Sequence, residues 1–458
     1  MARVVKFGGS SLANGEQYEK VVNIVLADPE RRVVVVSAPG KRFDIDTKVT
    51  DLLIQYAKST PGSSEFFAVQ KELISRYQNI ADYFKISEKD FQGIADIISN
   101  LSSTFSGEDD YRLAYFKAHG EHLNAILMAM VLNQLGHQAR FAGPAELGLY
   151  VEGQPNAATV LEESYTNLKN FEYSDDEILV VPGFYGMTKD GQMATFARGG
   201  SDITGSIVAR GLGIKLYENF TDVSAVYVAN PHIIEEPVSI KQMTYREMRE
   251  LSYSGFSVFN DEAIIPAIQG QVTINVKNTN RPTDPGTLIV PEKDFEAEYP
   301  ITGVTNSDHF SALYLHRYLL NQEVGMTLKL LQIFYKYNIS YEHMPSGIDD
   351  LTVIFDNRQL NEEMIERLCA DIKDALNPDV MQWIDDYTII MIVGEGMFKK
   401  PTIITDAIAS LTNNGVPINM INQGASQIST MLGTKRAYGK KAVSLIYQHF
   451  FNKNEQEA

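Results

Sequence analysis

The stretch Lys6-Phe7-Gly8-Gly9-Ser10-Ser11 has the residue types and spacing of a binding site for an anion. It follows the apolar pair Val4-Val5 and precedes an amphipathic segment, an order that predicts a strand, a glycine turn and a helix. Glycines in such a turn let the backbone approach a ligand and leave free N–H groups at the helix start. We therefore predict that this first glycine turn binds phosphate, with Lys6 as a compact positive charge. A plain tight turn is the alternative.

A second glycine-rich turn, Ala197–Asp202, strengthens this prediction. Its Arg198 offers a planar guanidinium group that is suited to a carboxylate, and Ser201 offers a neutral hydrogen bond. The first turn does not have the spacing of the P-loop, because its lysine precedes the glycines, and it is not a dinucleotide-binding motif. The pair of turns therefore strengthens the prediction of a phosphate site that follows neither of these two motifs.

Predicted strands precede each of these clusters and must position them. Ser37 follows the run Arg32–Val36, and Thr221-Asp222 follow the strand that starts at Lys215. The alternation of apolar strands with helical segments predicts a three-layer αβα domain with a mainly parallel sheet. Ligands bind beyond the carboxyl ends of the strands in such sheets, so we expect the clusters to converge there.

Glu121 lies in His119-Gly120-Glu121-His122, just before a long apolar run of a predicted helix. A carboxylate at this place requires a cationic partner, because burying an unpaired charge is costly. The two histidines suggest a metal site, but they have no Asp or Cys ligand beside them, so hydrogen-bonded histidines are favoured and no metal site is predicted.

The composition is that of a globular protein with more than one domain. The chain has 458 residues, of which 44% are hydrophobic and 21% charged, which predicts two or three domains. A net charge of −18 argues against nucleic acid or an anionic membrane as a partner. The single cysteine, Cys369, excludes an internal disulfide and suits the cytoplasm. We also expect no signal peptide and no membrane span.

The pattern changes near Pro300, where two sets of short strands and helices follow one another. This internal repeat predicts two ferredoxin-like α+β modules, each too small to cover its own sheet. We expect a first domain at residues 1–292, a first module at 300–385 and a second at 386–450. Interleaved modules are an alternative arrangement.

Taken together, these motifs resemble those of the aspartate kinases of the amino-acid kinase superfamily. The residues that carry the resemblance are Lys6–Ser11, Val36–Ala38, Gly120-Glu121, Pro182–Phe184, Arg198–Asp202, Thr221–Val223 and Pro285–Thr287. The resemblance implies the amino-acid kinase fold followed by paired ACT domains, of which one is commonly inserted into the other. It also implies transfer of the ATP γ-phosphoryl group to the β-carboxylate of L-aspartate, the first step towards lysine, threonine and methionine.

The resemblance also implies roles for individual residues. Lys6 and Asp202 are the expected catalytic residues, with an N-cap as the alternative role of Asp202. The expected aspartate-binding residues are Thr50, Glu121, Arg198, Ser37 and Ser201, and the expected ATP-binding residues are Lys6, Gly8, Gly9, Ser10, Thr221, Asp222 and Tyr227. Glu121 would bind the α-ammonium group of aspartate, with an ion pair to Arg198 as the alternative. Mg²⁺ should accompany ATP, although no protein ligand set is evident.

Two departures from the family pattern concern the nucleotide. Asn230-Pro231-His232 stands where relatives have Asp-Pro-Arg, and Ser257 replaces a lysine. We expect ATP to be held more weakly or differently. A sensing pseudokinase with little turnover is the alternative function.

The first module has the features of an amino-acid effector site. Met326 opens a helix whose free amides suit an α-carboxylate, and the acidic loop with Glu342, Ser346 and Asp349 suits a cationic side chain. We expect lysine as the effector, with threonine second, and an acidic exposed turn as the alternative. The resemblance further implies a homodimer, or a dimer of dimers, joined through the ACT modules.

Overall fold

A computed structural model describes residues 2–197, 199–253, 259, 261–400 and 402–451 of the chain, with the side chain of Asp261 excepted. The described residues belong to two compact units. The first unit is built from Met1–Val226, Ser239–Ser252 and Ser257–Phe295, and the second from Tyr227–Val238, Tyr253–Phe256 and Glu296–Ala458.

The first unit contains an eight-stranded sheet and two hairpins. Its strands are β1 Arg3–Phe7, β2 Arg31–Val36, β3 Ala139–Phe141, β4 Val151–Gln154, β5 Ala157–Val160, β6 Ile178–Pro182, β7 Tyr185–Met187, β8 Met193–Thr195, β9 Leu216–Thr221, β10 Gln242–Thr244, β11 Thr273–Asn278 and β12 Thr287–Val290. The sheet order is β10-β12-β11-β9-β1-β2-β6-β3, while β4-β5 and β7-β8 pair separately. Only the β11–β12 pair of the large sheet is antiparallel among the described residues.

Helices surround this sheet. They are α1 Gly15–Leu26, α2 Val49–Lys58, α3 Ser64–Tyr83, α4 Glu88–Thr104, α5 Asp109–Gln134, α6 Pro144–Leu147, α7 Glu163–Lys169, α8 Gly200–Gly211, α9 Tyr245–Tyr253 and α10 Asp261–Gly270. Val5 and Phe7 of β1 lie in a hydrophobic cluster formed with residues of α1 to α5. Because side chains alternate along a strand, Lys6 points to the opposite face, on which α8 contacts β1.

Small residues allow α8 to approach the sheet closely. A Cβ atom at Gly205 would lie 2.6 Å from the Tyr217 hydroxyl oxygen of β9, so a larger residue would push the helix outwards. Gly199 starts the helix with a φ of 77°, a conformation that favours glycine. The first turn of α8, which carries Ser201 and Asp202, is thereby held against β1 and β9.

The second unit contains one antiparallel sheet of five strands. Its strands are β13 Gly303–His316, β14 Asp350–Asp356, β15 Val380–Val393, β16 Met420–Gln423 and β17 Ser429–Thr434, in the order β14-β13-β15-β17-β16. Its helices are α11 Met326–Lys336, α12 Glu362–Leu376, α13 Thr402–Thr412 and α14 Gly439–Phe451. A hydrophobic cluster with Leu313, Leu330 and Leu368 joins α11 and α12 to one face of the sheet.

The predicted fold class is confirmed, since a mainly parallel α/β unit is followed by an antiparallel α+β region. Residues 385 and 386, on the two sides of the predicted boundary between the modules, both lie within β15, which pairs with β13 of the predicted first module. The domain boundaries at 292, 300, 385 and 386 stay a prediction. One detail differs from expectation, because β8, which precedes the second glycine turn, belongs to a hairpin rather than to the large sheet.

Candidate active site

A cavity of about 580 Å³ in the first unit brings most of the predicted catalytic and substrate-binding residues together. It lies at the carboxyl ends of β1 and β2, next to the first turn of α8. Its lining residues are Lys6, Ser37, Lys48, Thr50, Asp51, Ile54, Lys117, Glu121, Asn156, Phe184, Phe196, Ala197, Gly199, Gly200, Ser201 and Asp202. Cations, carboxylates and neutral hydrogen-bonding groups therefore face one space.

Lys6 and Asp202 form an ion pair at the edge of this cavity. Lys6 Nζ lies 2.5 Å from Asp202 Oδ1, and the two side chains are 9% and 15% exposed. Asn219 Nδ2 donates to the same Asp202 oxygen at 2.9 Å. Asn219 is the register partner of Lys6 across β1 and β9, so the pairing of these strands places three polar groups together. The arrangement holds the lysine ammonium group at a fixed place.

The first glycine turn is packed between the ends of two neighbouring strands. Gly8 N donates to Phe220 O at 3.3 Å, and Gly40 N donates to Gly9 O at 2.8 Å. A Cβ atom at Gly9 would lie 2.7 Å from the Ala38 carbonyl oxygen, so this position cannot accept a side chain without movement of the backbone. The turn therefore needs glycine at this position for close packing of the backbone. From the sequence alone, this reason for a glycine could not be distinguished from close approach of a ligand.

Glu121 lies on α5 and is 5% exposed. Its Oε2 atom is buried and has no hydrogen-bond partner among the described residues. Burial raises the pKa of Glu121 to about 8, which hydrogen bonds from the backbone and the charges of Lys117 and Lys6 only partly oppose. Such a carboxyl group requires a cationic ligand to ionise readily at neutral pH.

Two hydrogen bonds fix α5 beside the cavity. Tyr77 Oη donates to Gly120 O at 2.9 Å, and Asn124 Nδ2 donates to Ser37 O at 2.6 Å. The second bond connects the helix directly to the end of β2. Glu121 is therefore positioned by contacts of α5 with Tyr77 on α3 and with Ser37 after β2.

The histidines beside Glu121 are engaged within the protein. His119 Nδ1 lies 2.8 Å from Tyr115 O, and His122 Nδ1 lies 2.8 Å from the Tyr185 hydroxyl oxygen. Burial lowers the pKa of His119 to about 4 and that of His122 to about 3, so both rings are neutral at pH 7. This agrees with the hypothesis of hydrogen-bonded histidines.

The remaining predicted residues of this site lie in different places. Ser37, Thr50 and Ser201 line the cavity, whereas Gly8, Gly9 and Ser10 form the turn after Lys6. Thr221 ends β9, next to β1, and its Oγ1 donates to Asp222 Oδ1 at 3.1 Å. Tyr227 belongs to the second unit, and Arg198 lies outside the described residues.

Several lining residues were missed by the sequence analysis. Lys117 lies one helical turn before Glu121, so helical spacing could have found it. Asn156 lies in the β4–β5 turn, which is tied to β8 by the Thr195 N to Pro155 O bond of 2.8 Å. Its Oδ1 atom is buried and has no hydrogen-bond partner in the described part of the chain. No sequence signal connects this hairpin with the cavity.

Comparison with known proteins agrees with this geometry. The family model described as "Amino acid kinase family" matches residues 1–278, and the one described as "ACT domain" matches residues 390–450. Aspartokinase 3 of Bacillus subtilis (strain 168) is 42% identical over 449 residues, which is 98% of each chain. The chain belongs to the amino acid kinase family, in its aspartokinase group.

Solved structures of aspartokinases are similar over nearly the whole chain. The aspartate kinase of Clostridium acetobutylicum, which is described as an allosteric enzyme, has a TM-score of 0.87 and 36% identity, and the match covers 98% of this chain and 100% of that one. Aspartokinase III of E. coli has a TM-score of 0.75 and 19% identity in two structures, one with aspartate and ADP and one with lysine and aspartate. Each match covers 98% of this chain and 99% of that one, and at this identity shows the fold alone. The expectation of an aspartokinase enzyme is confirmed.

The expected effector residues of the ACT region do not share one cavity. Met326 is buried in the cluster between α11 and the sheet, beside Leu313 and Leu315. Ser346 lines a cavity of about 420 Å³ together with Tyr314 and Asp350. Tyr314 alternates with Leu313 and Leu315 along β13, so this cavity lies on the face of the sheet opposite to Met326. Asp349 Oδ1 accepts a hydrogen bond from Leu319 N at 2.7 Å.

Glu342 lies elsewhere in this region and is partly buried. Burial raises its pKa, helped by the charge of Asp356. Glu342 N donates to Ile354 O at 2.8 Å, which places the residue beside β14. Two carboxylates of the acidic loop therefore have different neighbours, since Asp349 bonds to the Leu319 amide and Glu342 lies beside β14.

No helix among the described residues has both the length and the apolar character needed to cross a lipid bilayer.

Proposed function

We propose that the protein transfers the γ-phosphoryl group of ATP to the β-carboxylate of L-aspartate and forms aspartyl-4-phosphate. One observation carries the proposal: the Lys6–Asp202 ion pair and Glu121, whose buried Oε2 has no hydrogen-bond partner among the described residues, line the same cavity. A cation for a phosphoryl group and a carboxylate for an ammonium group are the complements of the two reactants. The product is the first intermediate on the route to lysine, threonine and methionine.

The reaction needs no strong general base, because the β-carboxylate is already ionised at neutral pH. Catalysis then depends on positioning and on neutralising negative charge during transfer. Lys6 and the Gly9 amide of the first glycine turn would hold the transferring group, since the Gly8 N–H donates to Phe220 O, while Asp202 would orient Lys6. Glu121 would bind the α-ammonium group, and Ser37, Thr50 and Ser201 would donate neutral hydrogen bonds. Arg198 is proposed from the resemblance alone to bind a substrate carboxylate.

Mg²⁺ would accompany ATP on its phosphate oxygens. The described residues contain no group of three or more His, Cys, Asp or Glu side chains placed to hold a metal ion. Mg²⁺ in such sites is commonly bound by phosphate and water with one or two protein carboxylates. Asp202 is the carboxylate of the cavity nearest to Lys6 and would be the residue closest to such an ion. When bound, the ion would neutralise phosphate charge.

The adenosine side of ATP is proposed to contact Thr221, Asp222 and Tyr227. A pseudokinase that senses its ligands is the second candidate, because His232 replaces the usual arginine and is exposed. Ser257, the other departure, lies outside the described residues. The two candidates differ in turnover rather than in aspartate binding.

Hydroxamate formation from aspartate, Mg-ATP and hydroxylamine separates these functions. The wild-type chain should give aspartyl hydroxamate, and Lys6→Ala should lower kcat on the order of a hundredfold or more, since a preorganised charge is lost. Lys89→Ala, a change of an exposed lysine on α4, is the matched control and should retain the rate. Aspartate binding without any turnover in the wild type would favour the pseudokinase, and absence of both would refute the proposal.

We further propose feedback inhibition through the ACT region, with lysine preferred and threonine second. The E. coli relative carries lysine in one of its structures, and the acidic loop with Glu342, Ser346 and Asp349 suits a cationic side chain. The effector would bias two arrangements of the protein. Steady-state rates with millimolar lysine and threonine, singly and together, test this, and unchanged rates would refute it.

Assembly and location complete the proposal. We propose a homodimer or a dimer of dimers joined through ACT regions, for which sedimentation velocity is the direct measurement. A cytoplasmic location is proposed because the chain has a single cysteine, Cys369, which is free and partly buried.

A further inference from the structure

Lys117 is a lysine of the active-site cavity to which the proposed reaction gives no role. It lies on α5, lines the cavity and is partly buried. It precedes Glu121 by four residues, so both side chains lie on one face of the helix. Burial lowers the pKa of Lys117, and the charge of Glu121 opposes that change.

The ammonium group of Lys117 has no ion-pair partner within 4 Å among the described residues, unlike Lys6, which is paired with Asp202. Lysine and glutamate at this spacing ordinarily pair with one another on a helix. Here Glu121 Oε2 is buried without a hydrogen-bond partner in the described part of the chain. One helix face therefore presents a positive and a negative group to the cavity, and each has bonding capacity left for a ligand.

The ring of Phe184, which also lines the cavity, lies close to Lys117. Lys117 Nζ lies 5.4 Å from the centroid of the Phe184 ring, a distance that allows a cation–π interaction. Phe184 has a φ of 74°, which is unfavourable for a bulky residue. Bonds from its N–H to Thr204 Oγ1 at 3.0 Å and from Phe196 N to its carbonyl oxygen at 2.8 Å hold it there. Strain of this kind accumulates at ligand sites.

The pair of opposite charges matches the adjacent ammonium and carboxylate groups of an α-amino acid. Aspartate has two carboxylates, and its β-carboxylate must lie near Lys6 to accept the phosphoryl group. The α-carboxylate is attached to the same carbon as the ammonium group that Glu121 would bind, one helical turn from Lys117.

We propose that Lys117 binds the α-carboxylate of aspartate and so selects substrates that carry a free α-carboxylate. This inference rests on the proposed function and adds a specificity-determining residue to it. The amino acid would bridge Lys117 and Glu121, and its β-carboxylate would point along the cavity towards Lys6.

The test compares aspartate with its α-amide, isoasparagine, which keeps the α-ammonium and β-carboxylate groups but loses the α-carboxylate charge. Lys117→Met, made in the full chain, keeps an apolar chain beside Phe184 and removes the charge. We expect its kcat/KM for aspartate in the hydroxamate assay to fall about 10- to 100-fold, mainly through KM, because a hydrogen bond to a charged group is lost. The kcat/KM for isoasparagine should stay within about twofold.

Controls separate this role from a structural one. Lys117→Arg should recover part of the aspartate specificity, and Lys89→Met on the surface of α4 should change neither substrate. Equal loss with aspartate and isoasparagine would overturn the proposal, as would unchanged kinetics. If Lys117→Met does not fold, judged by its thermal unfolding, Lys117→Gln takes its place in the same comparison.

Binding measurements keep this test independent of turnover. Calorimetric titration of aspartate into the wild type and Lys117→Met should show weaker binding to the variant even if the wild type forms no hydroxamate. That result would refute the proposed function and leave the role of Lys117 supported. Equal aspartate affinity would overturn the role of Lys117 whether or not the enzyme turns over.

Discussion

Lys6 Nζ and Asp202 Oδ1 lie 2.5 Å apart, although β1 and α8 are distant in sequence. The contact arises because Lys6 points away from the cluster that contains Val5 and Phe7, and because α8 packs closely on β1 and β9. A partly buried ammonium group with one carboxylate partner keeps donors free for phosphate oxygens.

Asp202→Asn should reduce kcat on the order of a hundredfold, because the neutral amide no longer orients the lysine and leaves its charge without a partner. The hydroxamate assay at saturating aspartate and ATP measures the effect. Asp190→Asn, at an exposed turn in the first unit, is the matched control. A fall in kcat no greater than in that control would contradict the orienting role.

Asn219→Leu tests whether the amide or only the volume at this position matters. Asn219 is 2% exposed and donates to Asp202 Oδ1 at 2.9 Å, so leucine fills the space and removes the hydrogen bond. We expect kcat to fall about tenfold while KM for aspartate changes by less than about twofold, because only the positioning of Asp202 is affected. A kcat equal to that of the wild type, with the fold intact, would show that Asn219 is merely a packing residue.

How far the sequence predicted this site depends on how local each signal is. Lys6, its glycines, and Ser201 with Asp202 belong to short strand–turn–helix patterns, so their clustering was foreseeable once the sheet was expected to be parallel. Asn219 was missed because its place beside Lys6 depends on the register of β1 against β9. Asn156 was missed because its hairpin reaches the cavity through a contact with β8 that no periodicity encodes.

In the ACT region, too, local sequence patterns predicted the elements but not which side chains meet in space. An internal repeat of short strands and helices predicted its α+β class, which the five-stranded antiparallel sheet and its helices confirm. The expected effector site combined a helix start at Met326 with the acidic loop on the basis of residue types alone. The structure places the side chains of Met326 and Ser346 on opposite faces of the sheet, because adjacent residues of β13 face opposite sides.

Glu121 should make the stability of the ligand-free protein depend on pH. Its pKa of about 8 in the fold is raised from an ordinary value of 4.5, so the native state holds a proton that the unfolded chain has released. The contribution is fully present below pH 4.5 and is lost as the pH rises through 8, with each pKa unit equivalent to about 1.4 kcal/mol. Denaturant unfolding from pH 5 to 9 should show a steeper decline for the wild type than for Glu121→Gln.

Aspartate binding should release a proton from the same residue. The α-ammonium group of the substrate would stabilise the ionised carboxylate, so near pH 7 binding should be accompanied by deprotonation of Glu121. Calorimetry in two buffers with different ionisation enthalpies measures this release. Glu121→Gln should bind aspartate weakly and release no proton, and an equal release from both proteins would contradict the assignment.

Gly9→Ala should disturb the first glycine turn, because its Cβ atom would lie 2.7 Å from the Ala38 carbonyl oxygen. The displaced backbone should weaken Mg-ATP binding and lower the melting temperature. Gly93→Ala is the matched control, since it lies inside α4 with nothing within 4 Å of the added atom. That change should stabilise the protein by about 1 kcal/mol through helix propensity. Equal thermal shifts in both variants would refute the packing explanation.

Arg76 should be the most sensitive charged residue outside the cavity. It is 2% exposed on α3, its Nη1 lies 3.1 Å from Asp46 Oδ2, and it donates to Gly40 O at 2.5 Å and Thr47 O at 2.8 Å. These contacts hold the segment between β2 and α2, which leads to the cavity residue Thr50. Arg76→Met should cost about 3 kcal/mol, because it leaves buried acceptors without donors, although Arg42 still pairs with Asp46.

The same change should reach the active site through that segment. Loosening it would move Thr50, so KM for aspartate should rise while Mg-ATP binding at the first glycine turn is largely retained. Arg32→Met, at a partly buried arginine of β2 whose Nη1 donates to Asp176 O at 3.3 Å, is the control and should alter neither stability nor KM appreciably. Denaturant unfolding together with aspartate titrations measures both effects. A stability loss in Arg76→Met with unchanged KM would confine the arginine to a structural role and separate this segment from substrate binding.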